Sequence, residues 1–223
     1  MTLVLERSQL EYGMMFAMQK VKSINVEGFK PFFADLPMDP YIEGNYRFRR
    51  LSRLKINGDQ VTKLPHGYLY QSKHYNHLLG GIKRDFADLD QRLIELPELS
   101  QLIFAFTYGC KLENRGITID VHQIRTSCLP DNYGNPAPEG IHRDGCKYIG
   151  IFSVNRENVA GAETHLYTSP KENPVFSKVL NSGELLVVND EKFFHYTTSV
   201  KPIKPTLGTR DVFVLSYPSL LKD

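Results

Sequence analysis

From Ile117 onward the chain changes period. Ile117, Ile119, Val121, Gln123 and Arg125 alternate with Thr118, Asp120, His122, Ile124 and Thr126. A period of two is the pattern of a strand whose two faces differ. Short stretches of the same kind follow at near-regular spacing, over 148–154, 162–168, 175–180, 183–188, 193–200 and 210–217. Turn-forming residues separate them, most densely over 130–140, which is rich in Pro, Gly and Asn. Short strands punctuated in this way close into a sandwich or barrel. The expected fold class is α+β. A double-stranded β-helix core (jelly roll, cupin-like) would span 115–223, braced by N-terminal helices. Residues 1–223 read as one domain, with 1–114 a mixed helical and strand support region.

That support region has its own signals. Leu10, Met14, Met15, Met18 and Val21 share one face of a helix over 7–22. Residues 24–34, with their aromatics and Pro31, form a strand or an irregular turn. Tyr46 and Phe48 alternate with Arg47 and Arg49 in a strand over 45–56, and the basic cluster is expected on a solvated face rather than on an acidic substrate. Asn57-Gly58-Asp59 is a hairpin turn that makes 60–70 the partner strand. Phe86, Leu89, Leu93, Leu96, Leu99, Ile103 and Phe106 recur at helical intervals, with Pro97 as a break or restart. His66, His74 and His77 take structural roles, because no carboxylate completes the His74/His77 pair at a familiar spacing. The run 78–83 has glycines and Lys83 but not the spacing of a phosphate loop.

Composition excludes several classes. With 223 residues, 41% hydrophobic and 23% charged, the chain suits a globular domain with a real core. A net charge of +2 is too weak to argue for nucleic acid as a partner. Cys110, Cys128 and Cys146 are too few and too scattered for a disulfide framework or a thiolate zinc site, and read as inert thiols. The opening residues lack the pattern of a signal peptide, and no apolar stretch is long enough to span a bilayer. A reducing cytoplasm is the expected compartment.

The chemistry gathers around Gly140-Ile141-His142-Arg143-Asp144-Gly145. His142 and Asp144 sit where a glycine-rich loop enters a strand, the position at which a barrel mouth places ligands. His195 lies several strands later, between Phe194 and Tyr196. Two imidazoles and one carboxylate make the facial set that holds non-haem Fe(II) and leaves coordination positions open. Arg210 begins a strand that is otherwise largely apolar. A guanidinium there needs an anion and can grip a carboxylate bidentately. The distal carboxylate of 2-oxoglutarate fits that need. Each residue also has a plainer role open to it. His142 suits a loop, His195 a satisfied core position, Asp144 a turn cap, and Arg210 a pair with a surface acid.

Residues 115–217 resemble the catalytic core of the Fe(II)/2-oxoglutarate-dependent dioxygenases. The whole chain is similar to their bacterial subfamily of free L-amino acid hydroxylases, typified by L-isoleucine 4-hydroxylase. The similarity rests on residues 46–50, 121–125 and 139–145, on Val188-Asn189-Asp190 through His195, and on Gly208-Thr209-Arg210-Asp211. It implies that His142, Asp144 and His195 bind the iron and carry the catalysis. It further implies that Arg210 holds 2-oxoglutarate and that O2 is the oxidant. The reaction implied is hydroxylation of an aliphatic C–H, with release of succinate and CO2. In related radical halogenases a small residue replaces the carboxylate, so Asp144 favours hydroxylation.

An amino-acid substrate needs a cation for its carboxylate and an acceptor for its ammonium. The polar candidates near the mouth are Gln123, Arg125, Glu139, Arg143 and Glu163. Alternation puts Gln123 and Arg125 on one face of their strand and His122 on the other, and leaves either face free to be the inner one. It also turns Arg143 away from its two neighbours, toward the rim. Two rivals stay open: an oxygenase of the same kind acting on a peptide or protein side chain, and a non-catalytic β-sandwich binding module.

Overall fold

The computed structural model describes residues 16–223. Its main sheet has seven strands. In chain order they are β1 (Phe16–Lys20), β2 (Arg47–Asn57), β3 (Gln60–Lys63), β5 (Arg115–Cys128), β6 (Tyr148–Glu157), β10 (Glu184–Asn189) and β13 (Gly208–Tyr217). Their spatial order is β1-β10-β6-β13-β5-β2-β3, and every pair is antiparallel. A second sheet, β11-β8-β9, joins Phe194–Thr197, Glu163–Tyr167 and Phe176–Val179. Two ribbons complete the set: β12 (Val200–Pro202) with β7 (Val159–Gly161), and β14 (Leu221–Lys222) with β4 (Tyr68–Leu69). The chain order of these strands across two facing sheets is that of a double-stranded β-helix.

Helices cover one face of the main sheet. α1 (Gln91–Ile94) opens at Asp90, whose carboxylate accepts the Arg92 backbone N–H at 2.8 Å. α2 (Pro97–Gly109) starts on Pro97, so the proline restarts the helix as expected. Two 3₁₀ turns, Val26–Gly28 and Lys30–Phe33, fill the stretch 24–34. From these elements Phe29, Phe33, Leu93, Leu99, Leu102 and Phe106 pack on Ile119, Val121, Phe152 and Phe213. The Phe213 ring lies 5.0 Å from that of Phe29 and 5.2 Å from that of Phe33. This is the largest of the buried apolar clusters that drive the fold. Gly150 in β6 makes room for α2, since a Cβ there would fall 2.6 Å from the Phe106 ring.

The support region departs from its expected form in two places. The helix over 7–22 lies partly outside the described residues, and its remainder is strand β1, paired residue for residue with β10. Pairing with a buried neighbour strand overrides the helical spacing of the methionines. The second departure concerns β2. Its hairpin with β3 forms as expected, with Asn57 opposite Gln60. Arg47 and Arg49, however, are 5% and 7% exposed. Arg47 and Arg49 line a cavity on one side of the sheet, so the face of β2 that bears them is an inner face.

Candidate active site

The alternation of β5 decides which side chains meet. Val121 and Gln123 point toward the helices, and the Gln123 amide donates to the Phe32 carbonyl at 2.9 Å. His122, Ile124 and Thr126 point the other way, into a cavity between the sheets. Arg47 and Arg49 of β2, Ile149 and Ile151 of β6, and Arg210, Val212, Val214 and Ser216 of β13 line the same cavity.

His142 and Asp144 enter from the loop before β6, and His195 from β11. His142 and His195 form an isolated antiparallel bridge, with N–H to carbonyl distances of 3.0 and 2.8 Å. Asp190, at the end of β10, fastens the ligand turn. Its carboxylate accepts the backbone N–H groups of Asp144, Gly145 and Cys146 at 3.1, 2.8 and 3.2 Å. The turn needs Gly145, which has φ +88° and lies under the Tyr75 ring, where a Cβ would meet ring atoms at 2.7 Å.

The donor atoms of His142, Asp144 and His195 all lie within 4.8 Å of one another. His142 Nε2 is 3.6 Å from Asp144 Oδ1, and His195 Nε2 is 3.7 Å from Asp144 Oδ2. His142 Nδ1 stands 2.8 Å from the Gly140 carbonyl. Donation of Nδ1–H to that carbonyl leaves the Nε2 lone pair facing the cavity. His195 Nε2 is buried and has no hydrogen-bond partner among the described residues, an unmet acceptor of the kind a metal ion satisfies. Burial opposes protonating His142, but the carboxylates of Asp144 and Glu139 outweigh it and carry the imidazole up to about 9. Asp144 is held well below the usual carboxylate range: burial pushes it up, and the imidazoles of His142 and His195 pull it further down. The chemistry and spacing of this donor set fit Fe(II).

Arg210 lines the cavity, is 5% exposed and forms no ion pair among the described residues. Burial, followed by the charge of Arg156, lowers its guanidinium to about 9. Thr126 faces it across the β13–β5 ladder.

The other candidates divide. Glu139 lines the cavity, with Oε1 3.4 Å from His142 Nε2. Gln123 is turned into the helix side. Arg125 does not line the cavity either: its guanidinium is clamped on Asp211 at 2.7 and 2.8 Å, on the same outward face. Arg143 stacks over the Phe194 ring at 4.0 Å, outside the cavity wall. Glu163 lies at the surface beside His165, 3.5 Å away. Gln123, Arg125, Arg143 and Glu163 are therefore not placed to touch a substrate in the cavity. His66 pairs with Asp85 and Asp88 on the surface, and Cys110, Cys128 and Cys146 are buried and free.

Sequence reasoning passed over several cavity residues. Arg47 and Arg49 were assigned to solvent, although their spacing of two already placed both on one face. Arg84 and Gln71 sit in irregular segments, where no periodicity marks a direction.

The model of the 2OG-Fe dioxygenases matches residues 30–216. The chain belongs to the 2OG-Fe dioxygenase family. Members of this dioxygenase family use Fe(II), 2-oxoglutarate and O2, and the His142, Asp144 and His195 cluster is typical of iron binding. Among solved structures, the dioxygenase is similar to a bsmA homolog from Methylobium petroleophilum PM1, with 25% identity and a TM-score of 0.80. That match covers 95% of this chain and 91% of the homolog. IDO from Bacillus thuringiensis has 18% identity and a TM-score of 0.77, covering 94% of this chain and 96% of that one. The Fe(II)/(alpha)ketoglutarate-dependent dioxygenase TqaL has 14% identity and a TM-score of 0.62, covering 94% and 84%. The last two similarities concern the fold. No curated protein matches the dioxygenase. No helix among its described residues is long and apolar enough to cross a membrane.

Proposed function

We propose that this dioxygenase hydroxylates an aliphatic C–H of a free L-amino acid. In this reading His142, Asp144 and His195 hold Fe(II), and Arg210 holds the distal carboxylate of 2-oxoglutarate. The observation that carries it is one cavity with the three donor atoms at one place and a buried, unpaired guanidinium at another. When bound, iron and 2-oxoglutarate supply with O2 the oxidising power that turns C–H into C–OH, as 2-oxoglutarate is split into succinate and CO2.

The protein's own part is positioning. Arg210 orients a dianion by charge-assisted hydrogen bonds. The Gly140 carbonyl and the Asp190 carboxylate fix the ligand turn from behind. Ile149, Ile151, Val212 and Val214 give that part of the cavity an apolar wall that excludes water. Glu139 supplies an acceptor for an ammonium beside His142. Residues 16–223 act as one catalytic unit in this reading, to which the first half contributes cavity side chains as well as support. Buried free cysteines suit a reducing compartment such as the cytoplasm.

The test is succinate release, with mass detection of one added oxygen atom, across a panel of free L-amino acids. At least one should exceed the uncoupled background. Stimulation by peptides alone would sink the amino-acid assignment.

A further inference from the structure

Four guanidiniums line the cavity: Arg47, Arg49, Arg84 and Arg210. Two of them have assigned partners. Arg47 Nε donates to the Asp39 carboxylate at 2.8 Å, in a pair that is almost wholly buried. Arg210 is assigned to 2-oxoglutarate. Arg49 and Arg84 remain. They are 7% and 2% exposed, and neither forms an ion pair among the described residues. Arg49 donates through Nη2 to His122 Nδ1, and Arg84 donates through Nη2 to the Gln71 carbonyl oxygen. Both partners are uncharged: burial, then the Arg49 charge, drives the His122 imidazole well below its usual range. The Nε atoms of Arg49 and Arg84 are both buried without a hydrogen-bond partner.

Two buried cations with no carboxylate in ion-pair contact are expensive to keep. Packing alone does not ask for them, because a leucine or methionine fills such a wall at lower cost. The Arg49 guanidinium also lies over the Phe86 ring, with Cζ 4.4 Å from the centroid, a further contact that holds it in place. Its strand register separates it from the cosubstrate arginine. Arg49 pairs with Ile124 of β5, and Ile124 with Val212 of β13, so Arg49 lies two strands across from β13. Two strand spacings are about 10 Å, so the two arginines start from well-separated backbones.

We propose that Arg49 and Arg84 bind a carboxylate of the substrate, making this wall the recognition site that orients it toward the iron ligands. The proposal rests on the metal and cosubstrate reading above and names the chemical class that the cavity accepts. Glu139, which lies beside His142 and whose charge acts on Arg84, takes the ammonium of an α-amino acid, and Leu69, Ile124 and Leu220 line the space for its aliphatic side chain. Arg49 and Arg84 are recognition residues for an acid, and an uncharged isostere leaves them unpaired.

The test uses the full chain, held anaerobically with Fe(II) and 2-oxoglutarate. The charge-transfer absorption of that complex reports on the metal and cosubstrate sites. Its absence from the wild-type protein overturns the reading on which the proposal rests, and the proposal with it. With the band present, L-isoleucine, L-leucine and L-methionine are each titrated calorimetrically beside their primary amides. At least one acid should bind, and its amide about 10- to 100-fold more weakly. Arg49→Met and Arg84→Met should keep the band and lose the acid by a similar factor, and Arg49→Lys should recover part of it. Three results overturn the recognition site while leaving the metal reading intact: an amide that binds as well as its acid, a Met variant with unchanged acid affinity, or a band with no acid bound. The acid and amide comparison uses the wild-type chain, so a misfolded variant does not remove the test.

Discussion

His142 and His195 are joined through their backbones as well as placed side by side. Each donates its N–H to the other's carbonyl, and their rings lie 4.3 Å apart. The bridge uses main-chain atoms only, so it survives truncation of either imidazole. His142→Ala and His195→Ala are expected to keep the strand content seen by circular dichroism. Both should lose the Fe(II) and 2-oxoglutarate charge-transfer band and turnover together. A variant that keeps the band would remove that histidine from the metal.

Asp190 acts on the same turn from behind. Asp190→Asn leaves one acceptor where a carboxylate met three backbone N–H groups. Loss of support behind metal ligands typically costs about 10- to 100-fold in metal affinity. An anaerobic Fe(II) titration should show a decrease of that order, with little change in the 2-oxoglutarate requirement once iron is saturating. Unchanged iron affinity would mean that the turn holds itself.

Arg210→Ala tests the cosubstrate end. Charge-assisted hydrogen bonds contribute about 1.5–3 kcal/mol each, so the 2-oxoglutarate concentration for half-maximal turnover should rise about 10- to 100-fold. Fe(II) affinity in the absence of 2-oxoglutarate should stay close to wild type. An unaltered cosubstrate dependence would refute the assignment.

What the sequence revealed, and what it concealed, follows from where direction is encoded. A strand encodes direction by alternation, so the jelly-roll core was legible from residue 117 onward, whereas the pairing of its strands was not. His142, Asp144 and His195 were legible as a set because two imidazoles and a carboxylate stand in an order that one chemistry explains, and Arg210 stood out as a cation in an apolar strand. Alternation says which residues share a face but not which face is inner. Gln123 and Arg125 therefore looked as eligible as His122, until the helices claimed their side of β5. The same ambiguity sent Arg47 and Arg49 to solvent, since a basic strand face is usually wet and only the cavity this one lines makes it an inner face. Arg84 and Gln71 have no periodicity to read, and their partners are fixed only by tertiary contact.

Asp120 gives the fold a pH dependence of its own. It is buried on β5 and accepts the Leu220 backbone N–H at 2.6 Å and the Ser219 hydroxyl. Burial pushes its carboxyl up to about 6, against the downward pull of these hydrogen bonds. An acid with a higher pKa in the folded chain than in the unfolded one binds its proton more tightly when folded. Its contribution is fully present below about pH 4 and is lost as pH rises through about 6. The full loss is about 3 kcal/mol. Asp120→Asn has no proton to lose. Urea unfolding of both proteins at pH 4.5 and 7.5 should show the variant gaining on the wild type at the higher pH. A difference that does not move with pH would contradict this origin.

The Gln71 side chain touches both ends of the proposed chemistry. Its carbonyl oxygen accepts from Arg84, while its Nε2 donates to Asp144 at 2.8 Å on the main-chain carbonyl and 3.3 Å on the carboxylate. A single amide thus spans the arginine assigned to the substrate and the carboxylate assigned to iron. Any preference that metal loading gives to one orientation of this amide is felt by the arriving acid, and thermodynamic reciprocity requires the acid to return the same factor to the metal. Loading iron and admitting the molecule to be oxidised are in this reading two equilibria that meet at one amide.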